Sequence, residues 1–220
     1  VVSNNQLGVA IDYRGPVTIE DGAGAPTSVT GGSYDAALIC AFDLNGTLNW
    51  FKIGRNTNNS YPVLVADLAA DQSNFYLLTR FDGQSYYEND TIGSATSLLN
   101  TGGIIAYSAS NGNMLWANSL GCDGNGLNCS QSTPSAIKAF GNRVYATGSF
   151  LTTISYGALS FSAVGTMNTT GTYFLAMDQS GTGLWINGLK DANLNGFGGG
   201  SIKDIHQYQD SLILLSGGVA

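Results

Sequence analysis

The sequence contains few charged residues and has no excess of positive charge. Only 10% of its 220 residues are charged, with eight Lys and Arg against fifteen Asp and Glu. The formal net charge is −7 and the pI is near 4.3. Because binding to nucleic acid or to an anionic membrane surface depends on clustered cations, we expect no nucleic-acid partner.

Long apolar segments are missing as well. A transmembrane helix needs about 18 or more consecutive apolar residues. The longest runs here are short, such as residues 103–107 and 212–215, so no membrane insertion is expected. Helical periodicity is equally scarce. Only residues 63–71 could be drawn as a helix, and the equivalent segments elsewhere have the pattern of strands.

Residues that commonly carry catalysis are few and scattered. The chain has one histidine, His206, and two glutamates, Glu20 and Glu88, both in long polar segments. A Ser-His-Asp triad or a pair of glycosidase carboxylates needs such groups close together. We therefore expect a protein that is not an enzyme, with His206 in a structural role and no cofactor.

Three cysteines are present, and they differ in setting. Cys122 and Cys129 enclose a short polar loop, which favours a disulfide over a metal site because no third ligand is nearby. Cys40 has apolar neighbours and is expected to be a buried small side chain.

Asn-x-Ser/Thr sequences are frequent, although chance produces them readily in a chain rich in Asn and Thr. Together with a loop disulfide they favour an extracellular or cell-surface location. The candidate glycosylation sites are Asn45, Asn58, Asn89, Asn128 and Asn168.

A strand-like segment recurs through the chain at a nearly constant interval. Its copies begin at Asn5, Asn74, Asn142 and Asp210, which are 69, 68 and 68 residues apart. Tryptophans recur almost in phase at Trp50, Trp116 and Trp185, after 66 and 69 residues. Two signals with one period indicate a repeat protein.

Each repeat has the pattern of four strands, with an insertion between the second and the third. The strands are apolar on both faces, so each sheet must be covered on both sides. Four-stranded antiparallel sheets packed between copies of themselves are the blades of a β-propeller. We predict an all-β chain of about three and a half blades, one segment over residues 1–220 and part of a larger propeller. The predicted units are 1–62, 63–133, 134–198 and a partial 199–220.

The third unit carries the clearest motif. Residues 144–150 (VYATGSF) and 174–185 (FLAMDQSGTGLW) resemble the bacterial-type β-propeller repeat (SBBP repeat) family, whose units contain Y-x-T-G-S-F and then F-x-A-x-D-x-x-G-x-x-x-W. The second unit resembles it through residues 75–81 and 105–116, with Ser108 at the Asp position. The resemblance implies a propeller fold.

The closing hairpin is also similar to that of the tryptophan-docked propellers of quinoprotein dehydrogenases, but the quinone-site residues of those enzymes have no counterparts here. In either family the three tryptophans would pack each blade against its neighbour, which is a structural role. Asp43 and Asp178, in the same hairpins, are expected to cap their own turns.

One segment has the alternation of a calcium loop. Asp191, Asn193 and Asn195, followed by Gly196, have the D-x-N-x-N-G form in which oxygen ligands alternate. Ile202 stands where a bidentate Glu should close the site. Asp, Asn and Gly are also ordinary turn formers. The alternatives are a Ca²⁺ site and a simple turn.

These observations favour a non-catalytic binding, adhesion or structural scaffold module, with a protein or carbohydrate ligand expected near residues 82–100 and 151–171. The main alternative is a self-assembling subunit of an extracellular filament or coat, which would be a homo-oligomer. A quinoprotein-like or carbohydrate-active propeller enzyme comes third.

Overall fold

A computed structural model of the chain describes residues 1–22, 24, 26–57, 61–87, 90–93, 100–121, 132–162, 170–190, 201–208 and 212–218. These residues form twenty β-strands and no helix, which confirms the all-β prediction. The segment that could have been drawn as a helix is a strand, because it pairs with its successor along its whole length. No helix in the described part has the length and apolarity needed to cross a membrane.

The strands fall into successive antiparallel groups in chain order. In the first group they are β1 (Val2–Ser3), β2 (Gln6–Tyr13), β3 (Val17–Ile19), β4 (Thr27–Val29), β5 (Ala36–Asp43) and β6 (Leu48–Asn56). In the second they are β7 (Val63–Ala70), β8 (Asn74–Asp82), β9 (Gln84–Tyr87), β10 (Asp90–Gly93), β11 (Asn100–Ser108) and β12 (Met114–Leu120). In the third they are β13 (Ser132–Phe140), β14 (Arg143–Leu151), β15 (Thr153–Tyr156), β16 (Leu159–Ser162), β17 (Thr170–Asp178) and β18 (Gly183–Lys190), followed by β19 (Ser201–Tyr208) and β20 (Leu212–Gly218).

Two complete four-stranded sheets follow one plan. The second sheet has the order β7-β8-β11-β12 and the third has β13-β14-β17-β18. In both, the strands are consecutive along the chain except for an insertion hairpin, β9–β10 or β15–β16, between the second and third strands. The pair β19–β20 repeats the first two positions of the plan.

The first sheet differs from the expected four strands. It has six, in the order β1-β2-β5-β6-β9-β10. The two additional strands are the insertion hairpin of the second group, which pairs with the edge of β6 that faces away from β5. An unpaired edge strand leaves a row of free N–H and C=O groups, and the added hairpin satisfies part of that row.

The opening strands β7, β13 and β19 carry a β-bulge at an equivalent place. The register shifts between Val65 and Asp67 in β7, between Pro134 and Ala136 in β13, and between Ile202 and Asp204 in β19. A bulge adds one residue to one strand and leaves its backbone groups outside the ladder. Recurrence of the bulge shows that the repeat extends to backbone detail.

Consecutive sheets pack face to face through apolar side chains. One cluster joins the first and second sheets, with Ile39 and Trp50 on one side and Phe75, Leu77 and Tyr107 on the other. A second cluster joins the second and third sheets in the same way, and a smaller one joins the third sheet to β19. The prediction that the strands are covered on both faces is confirmed for the second sheet.

The outer face of the first sheet is covered only in part. Here "outer" means the face turned away from the second sheet. The β3–β4 hairpin lies over one end of it, where Ile19 and Val29 pack on Tyr13 and Leu38. At the other end Leu7 and its neighbours in β2 remain 37–42% exposed.

Candidate functional site

The joint between the first and second sheets is made by Trp50. Its indole is 9% exposed and lies against the rings of Phe75 and Tyr107, with centroid separations of 5.9 and 6.1 Å. Its Nε1–H donates a hydrogen bond of 3.0 Å to the carbonyl of Ala109, in the closing turn between β11 and β12. One side chain therefore buries apolar area and satisfies a turn carbonyl of the next sheet.

The joint between the second and third sheets repeats this arrangement. Trp116 Nε1–H donates to the carbonyl of Gln179 at 2.8 Å, in the closing turn between β17 and β18. Ala109 and Gln179 hold the same position, one residue after the end of β11 and of β17. We call each pairing of an indole with the next closing turn a tryptophan joint.

A turn glycine lies beneath each docked indole. A Cβ at Gly112 would approach Trp50 Cδ2 to 2.5 Å, and one at Gly181 would approach Trp116 Cδ2 to 2.7 Å. Both glycines have positive φ, 71° and 83°. Gly46 has the same conformation in the closing turn of the first sheet, with φ 85°, and no described atom lies within 4 Å of its Cβ position.

The closing turns are stabilised from inside by aspartate. Asp178 Oδ1 accepts hydrogen bonds from the backbone N–H groups of Ser180 and Thr182, at 2.9 and 3.0 Å. The Ser180 hydroxyl and these N–H groups lower the pKa of Asp178. Asp43 accepts the equivalent bonds in the first sheet, and its pKa is also lowered, chiefly by the N–H of Thr47. The predicted capping role is confirmed for both residues.

Trp185 occupies the same position in the third sheet, on β18. Its ring lies 5.3 Å from that of Phe174 and 6.4 Å from that of Tyr145, on the face of the sheet that also meets Ile205 of β19. Among the residues that the structure describes, no closing turn follows the third sheet to receive this indole.

A polar cleft of about 960 Å³ lies at the end of the sheets that carries both the closing turns and the turns between first and second strands. Three successive first-to-second-strand turns line it: residues 2–5, residues 70–74, and Gly141 with Ala139. Gln179 of a closing turn completes the wall. The insertion hairpins leave the opposite ends of the same strands, so this cleft is not where the sequence predicted the ligand.

Among the described residues that line the cleft, Asp71 has the single carboxylate, and protein donors already occupy it. Oδ1 accepts from the N–H groups of Ser73 and Asn74, at 2.7 and 2.8 Å. Oδ2 accepts from the Tyr76 hydroxyl at 2.5 Å and from Gln179 Nε2 at 2.9 Å. Burial, followed by this bond to Asp71, raises the pKa of Tyr76. The other described lining side chains are uncharged, so the cleft suits a neutral ligand rich in hydroxyl or amide groups.

A second polar arrangement follows the opening strands. The backbone N–H of Val65, beside the bulge of β7, donates to Asp12 Oδ1, and that of Ile137 in β13 donates to Asp67 Oδ2 at 2.9 Å. Lys138 Nζ lies 3.4 Å from Asp204 Oδ1 and 3.9 Å from Asp67 Oδ2. These contacts link β2 to β7, β7 to β13 and β13 to β19.

His206 lies on β19, with its Nε2 3.1 Å from Asp204 Oδ2 and a side chain 60% exposed. Its contact with Asp204 lies at the surface, next to the contact between Lys138 and Asp204.

Most of the other predicted site residues fall in segments that the structure does not describe. These are the calcium candidates Asp191, Asn193 and Asn195, the proposed disulfide Cys122–Cys129, and the candidate glycosylation sites Asn58, Asn89, Asn128 and Asn168. Within the described ranges, no group of three or more His, Cys, Asp or Glu side chains could hold a metal ion.

The structure describes two other residues for which the sequence analysis made a prediction, Asn45 and Cys40. Asn45 is exposed in the closing turn of the first sheet, where an oligosaccharide could reach it. Cys40 is a buried free cysteine, and burial raises its pKa to about 11.

The sequence analysis did not predict the cleft, although the sequence contains a pattern that indicates it. The turns at residues 4–5, 71–73 and 141–142 are polar, and they recur with the period of the repeat. The turns of consecutive sheets that pack face to face must lie at one end of the assembly. A recurring polar turn therefore predicts one continuous polar surface.

No protein-family model matches this chain, and no curated protein matches it closely enough to indicate a relationship.

Proposed function

We propose that the chain is a run of consecutive β-propeller blades in a non-catalytic, secreted or cell-surface scaffold of the bacterial-type propeller repeat kind. The observation that carries this proposal is the tryptophan joint, made twice with the same donor, the same acceptor position and a glycine beneath each ring. A contact repeated in this way relates consecutive sheets by a constant step, and constant steps generate a propeller.

The ligand site of this scaffold is the polar cleft, and the ligand class is carbohydrate. The cleft presents uncharged amide and hydroxyl side chains together with exposed backbone at the turns. Sites that bind small molecules fix orientation through a small number of well-placed polar groups on a rigid support. The turn at residues 70–74 is held by the hydrogen bonds to Asp71, and Gln179 belongs to a closing turn that a tryptophan joint fixes.

An extracellular location agrees with the exposed position of Asn45 within an Asn-x-Thr sequence. Expression in a eukaryotic secretory host should give a glycosylated protein whose intact mass falls by one glycan in an Asn45→Gln variant. An unchanged mass would remove this support.

An experimental structure of the protein tests the architecture. The sheets should be related by successive rotations of similar size about one axis, with the opening strands nearest to that axis. Two sheets closing against each other as a sandwich or a barrel would contradict the proposal.

Calorimetric titration with neutral mono- and disaccharides tests the ligand class. Binding should be weakened by Gln72→Ala combined with Ser73→Ala, which alters the cleft wall. Ser160→Ala, at an exposed position in the opposite insertion hairpin, is the matched control and should leave binding unchanged. An equal loss of binding heat in the double variant and in the control would contradict a carbohydrate site in the cleft. So would the absence of binding heat with every sugar.

A self-assembling subunit is the second candidate function, and the outer face of the first sheet favours it. Leu7, Val9 and Ile11 form an exposed apolar row on β2, and Phe42 lies beside Leu7 in β5. Apolar patches of this kind mark interaction surfaces.

A further inference from the structure

We propose that Gln179 binds a ligand hydroxyl through its side-chain oxygen and couples occupation of the polar cleft to the second tryptophan joint. This inference rests on the carbohydrate site proposed above. It adds the residue that contacts the sugar and the effect of binding on the way two sheets meet.

A closed series of contacts connects the cleft wall to the joint. The backbone carbonyl of Gln179 accepts the hydrogen bond from Trp116, and its side-chain Nε2 donates to Asp71 Oδ2 at 2.9 Å. The same carboxylate oxygen accepts from the Tyr76 hydroxyl at 2.5 Å. The ring of Tyr76 lies 6.1 Å from that of Trp116, which completes the series. We call these four residues the Gln179 circuit.

The circuit joins two sheets. Asp71, Tyr76 and Trp116 belong to the second group of strands, whereas Gln179 follows β17 in the third. Gln179 Nε2 also donates to the carbonyl of Gly141 at 3.3 Å, in the turn between β13 and β14. Opening of the joint moves Gln179 away from Asp71. The contact in the cleft wall and the contact at the joint are therefore made and lost together.

One atom of the Gln179 side chain is left for a ligand. A carboxamide nitrogen has two hydrogens, and those of Gln179 are directed to Asp71 and Gly141. Among the described residues none donates to Oε1, and Gln179 is exposed where it lines the cleft. Because Oε1 only accepts, it suits a donor such as a sugar hydroxyl.

A hydroxyl bound to Oε1 strengthens the joint. Connected hydrogen bonds polarise one another, so a bond at Oε1 makes the Nε2–H groups better donors to Asp71 and Gly141. The sugar also holds the carboxamide in its orientation in the closed joint. The alternative state is a locally opened joint in which the Trp116 N–H is free. A ligand that prefers the closed state shifts the equilibrium towards it, and the coupling is reciprocal.

The first tryptophan joint lacks this circuit and serves as an internal reference. Its acceptor residue is Ala109, whose side chain is a methyl group. Gly8 stands at the strand position that Tyr76 holds in the second sheet. Occupation of the cleft should therefore act on Trp116 and not on Trp50.

Hydrogen exchange at the indole N–H groups, measured by NMR with and without the neutral disaccharide maltose, tests the coupling. Maltose at ten times its dissociation constant should slow exchange at Trp116 by up to about tenfold, the limit for a ligand that binds only the closed state. Exchange at Trp50 should not change.

The failures of the two proposals are distinguishable. If maltose binds but leaves exchange at Trp116 unchanged, or slows Trp50 equally, the coupling is overturned and the carbohydrate site is retained. If no neutral sugar gives binding heat, the carbohydrate site is contradicted, and with it the ligand contact at Gln179.

Two variants test the circuit in the protein without sugar. Gln179→Glu keeps the size and the backbone carbonyl but replaces the two Nε2–H donors with a carboxylate beside Asp71. Tyr76→Phe removes only the hydroxyl at the other end of the circuit. Each should make exchange at Trp116 about fivefold faster, as expected for the loss of one net hydrogen bond, and leave Trp50 unchanged.

Gln72→Ala is the matched control, because it removes another exposed amide of the cleft wall that is not part of the circuit. It should leave exchange at Trp116 unchanged. Circular dichroism checks that all three variants are folded. Exchange at Trp116 that is unaltered in both circuit variants, or that rises equally in Gln72→Ala, would overturn the coupling.

Discussion

The indole of Trp50 serves two purposes that few other side chains could combine. Its ring covers Phe75 and Tyr107 of the next sheet, and its N–H reaches the carbonyl of Ala109 in a tight turn. A buried carbonyl without a partner costs about 1–3 kcal/mol. Phenylalanine would keep most of the apolar contact and lose the hydrogen bond, and leucine would lose both.

The glycines beneath the indoles give a direct test of the joint. Gly112→Ala and Gly46→Ala both place alanine at positive φ, which costs roughly 1–2 kcal/mol. Only Gly112→Ala also forces a methyl group against Trp50, which should cost about a further 1–3 kcal/mol.

Urea unfolding of dilute protein measures this difference, and Gly181→Ala should behave like Gly112→Ala because it lies under Trp116. Equal losses for Gly46→Ala and Gly112→Ala would show that the indole does not rest on the turn.

The capping aspartates predict how stability depends on pH. The folded pKa of Asp178 is lowered, so its contribution is complete above the unfolded value of about 3.9 and is lost as pH falls through the folded value. Asp178→Asn should therefore lower the free energy of unfolding at pH 7 and have little effect near pH 2.

Asp43→Asn should show the same trend, because the pKa of Asp43 is lowered by the same kind of bonds. Urea titrations at several pH values measure it. A loss that persists undiminished in acid would assign the effect to packing instead of to the carboxylate charge.

At the scale of elements, the insertion hairpins β9–β10 and β15–β16 are each fixed by a tyrosine in the first strand. Tyr87 of β9 and Tyr156 of β15 are both buried, and their hydroxyls bond to Thr79 Oγ1 and to the Gly181 carbonyl, each at 2.8 Å. Burial raises the pKa of both. The hairpins are therefore packed parts of the sheets and not free loops.

Tyr87→Phe should loosen the β9–β10 hairpin without unfolding the chain. The Thr79 hydroxyl would lose its closest partner in the buried interior, at a cost of about 1 kcal/mol. Amide hydrogen exchange in residues 84–87 should become faster. Tyr86→Phe is the matched control, since Tyr86 is 45% exposed, and it should change nothing. Equal exchange in both variants would contradict the anchoring role.

The sequence predicted the kind and order of the elements better than their register. The alignment of the repeats on Asn5, Asn74 and Asn142 is wrong by one residue in the second unit. Asn74 pairs with Ser108 in the same way that Arg143, and not Asn142, pairs with Asp178. A shift of one residue in a strand exchanges its two faces. Identical residue types were a poor guide where the turn before β8 differs in length.

The parts that the sequence did not predict depend on contacts between units. Pairing of β9 with β6 joins residues of different repeats. The bulges in β7, β13 and β19 are not marked by one residue type. The cleft likewise forms only when three turns meet. Periodicity within one strand contains no information about such contacts.

For the whole molecule, stability resides mainly between the sheets. A single thin sheet with two apolar faces cannot shield them from water, so each one depends on its neighbours, as in other repeat proteins. The exposed ion pairs among Asp67, Lys138 and Asp204 contribute little by comparison. The tryptophan joints are the feature that sets how one sheet meets the next.

Hydrogen exchange at the three indole N–H groups, followed by NMR and assigned with Trp→Phe variants, measures these joints most directly. The Nε1–H groups of Trp50 and Trp116 should exchange slowly, because each is bonded to the carbonyl of the following closing turn. That of Trp185, which has no such turn in the described chain, should exchange much faster in the monomer. Equally fast exchange at all three would contradict the account.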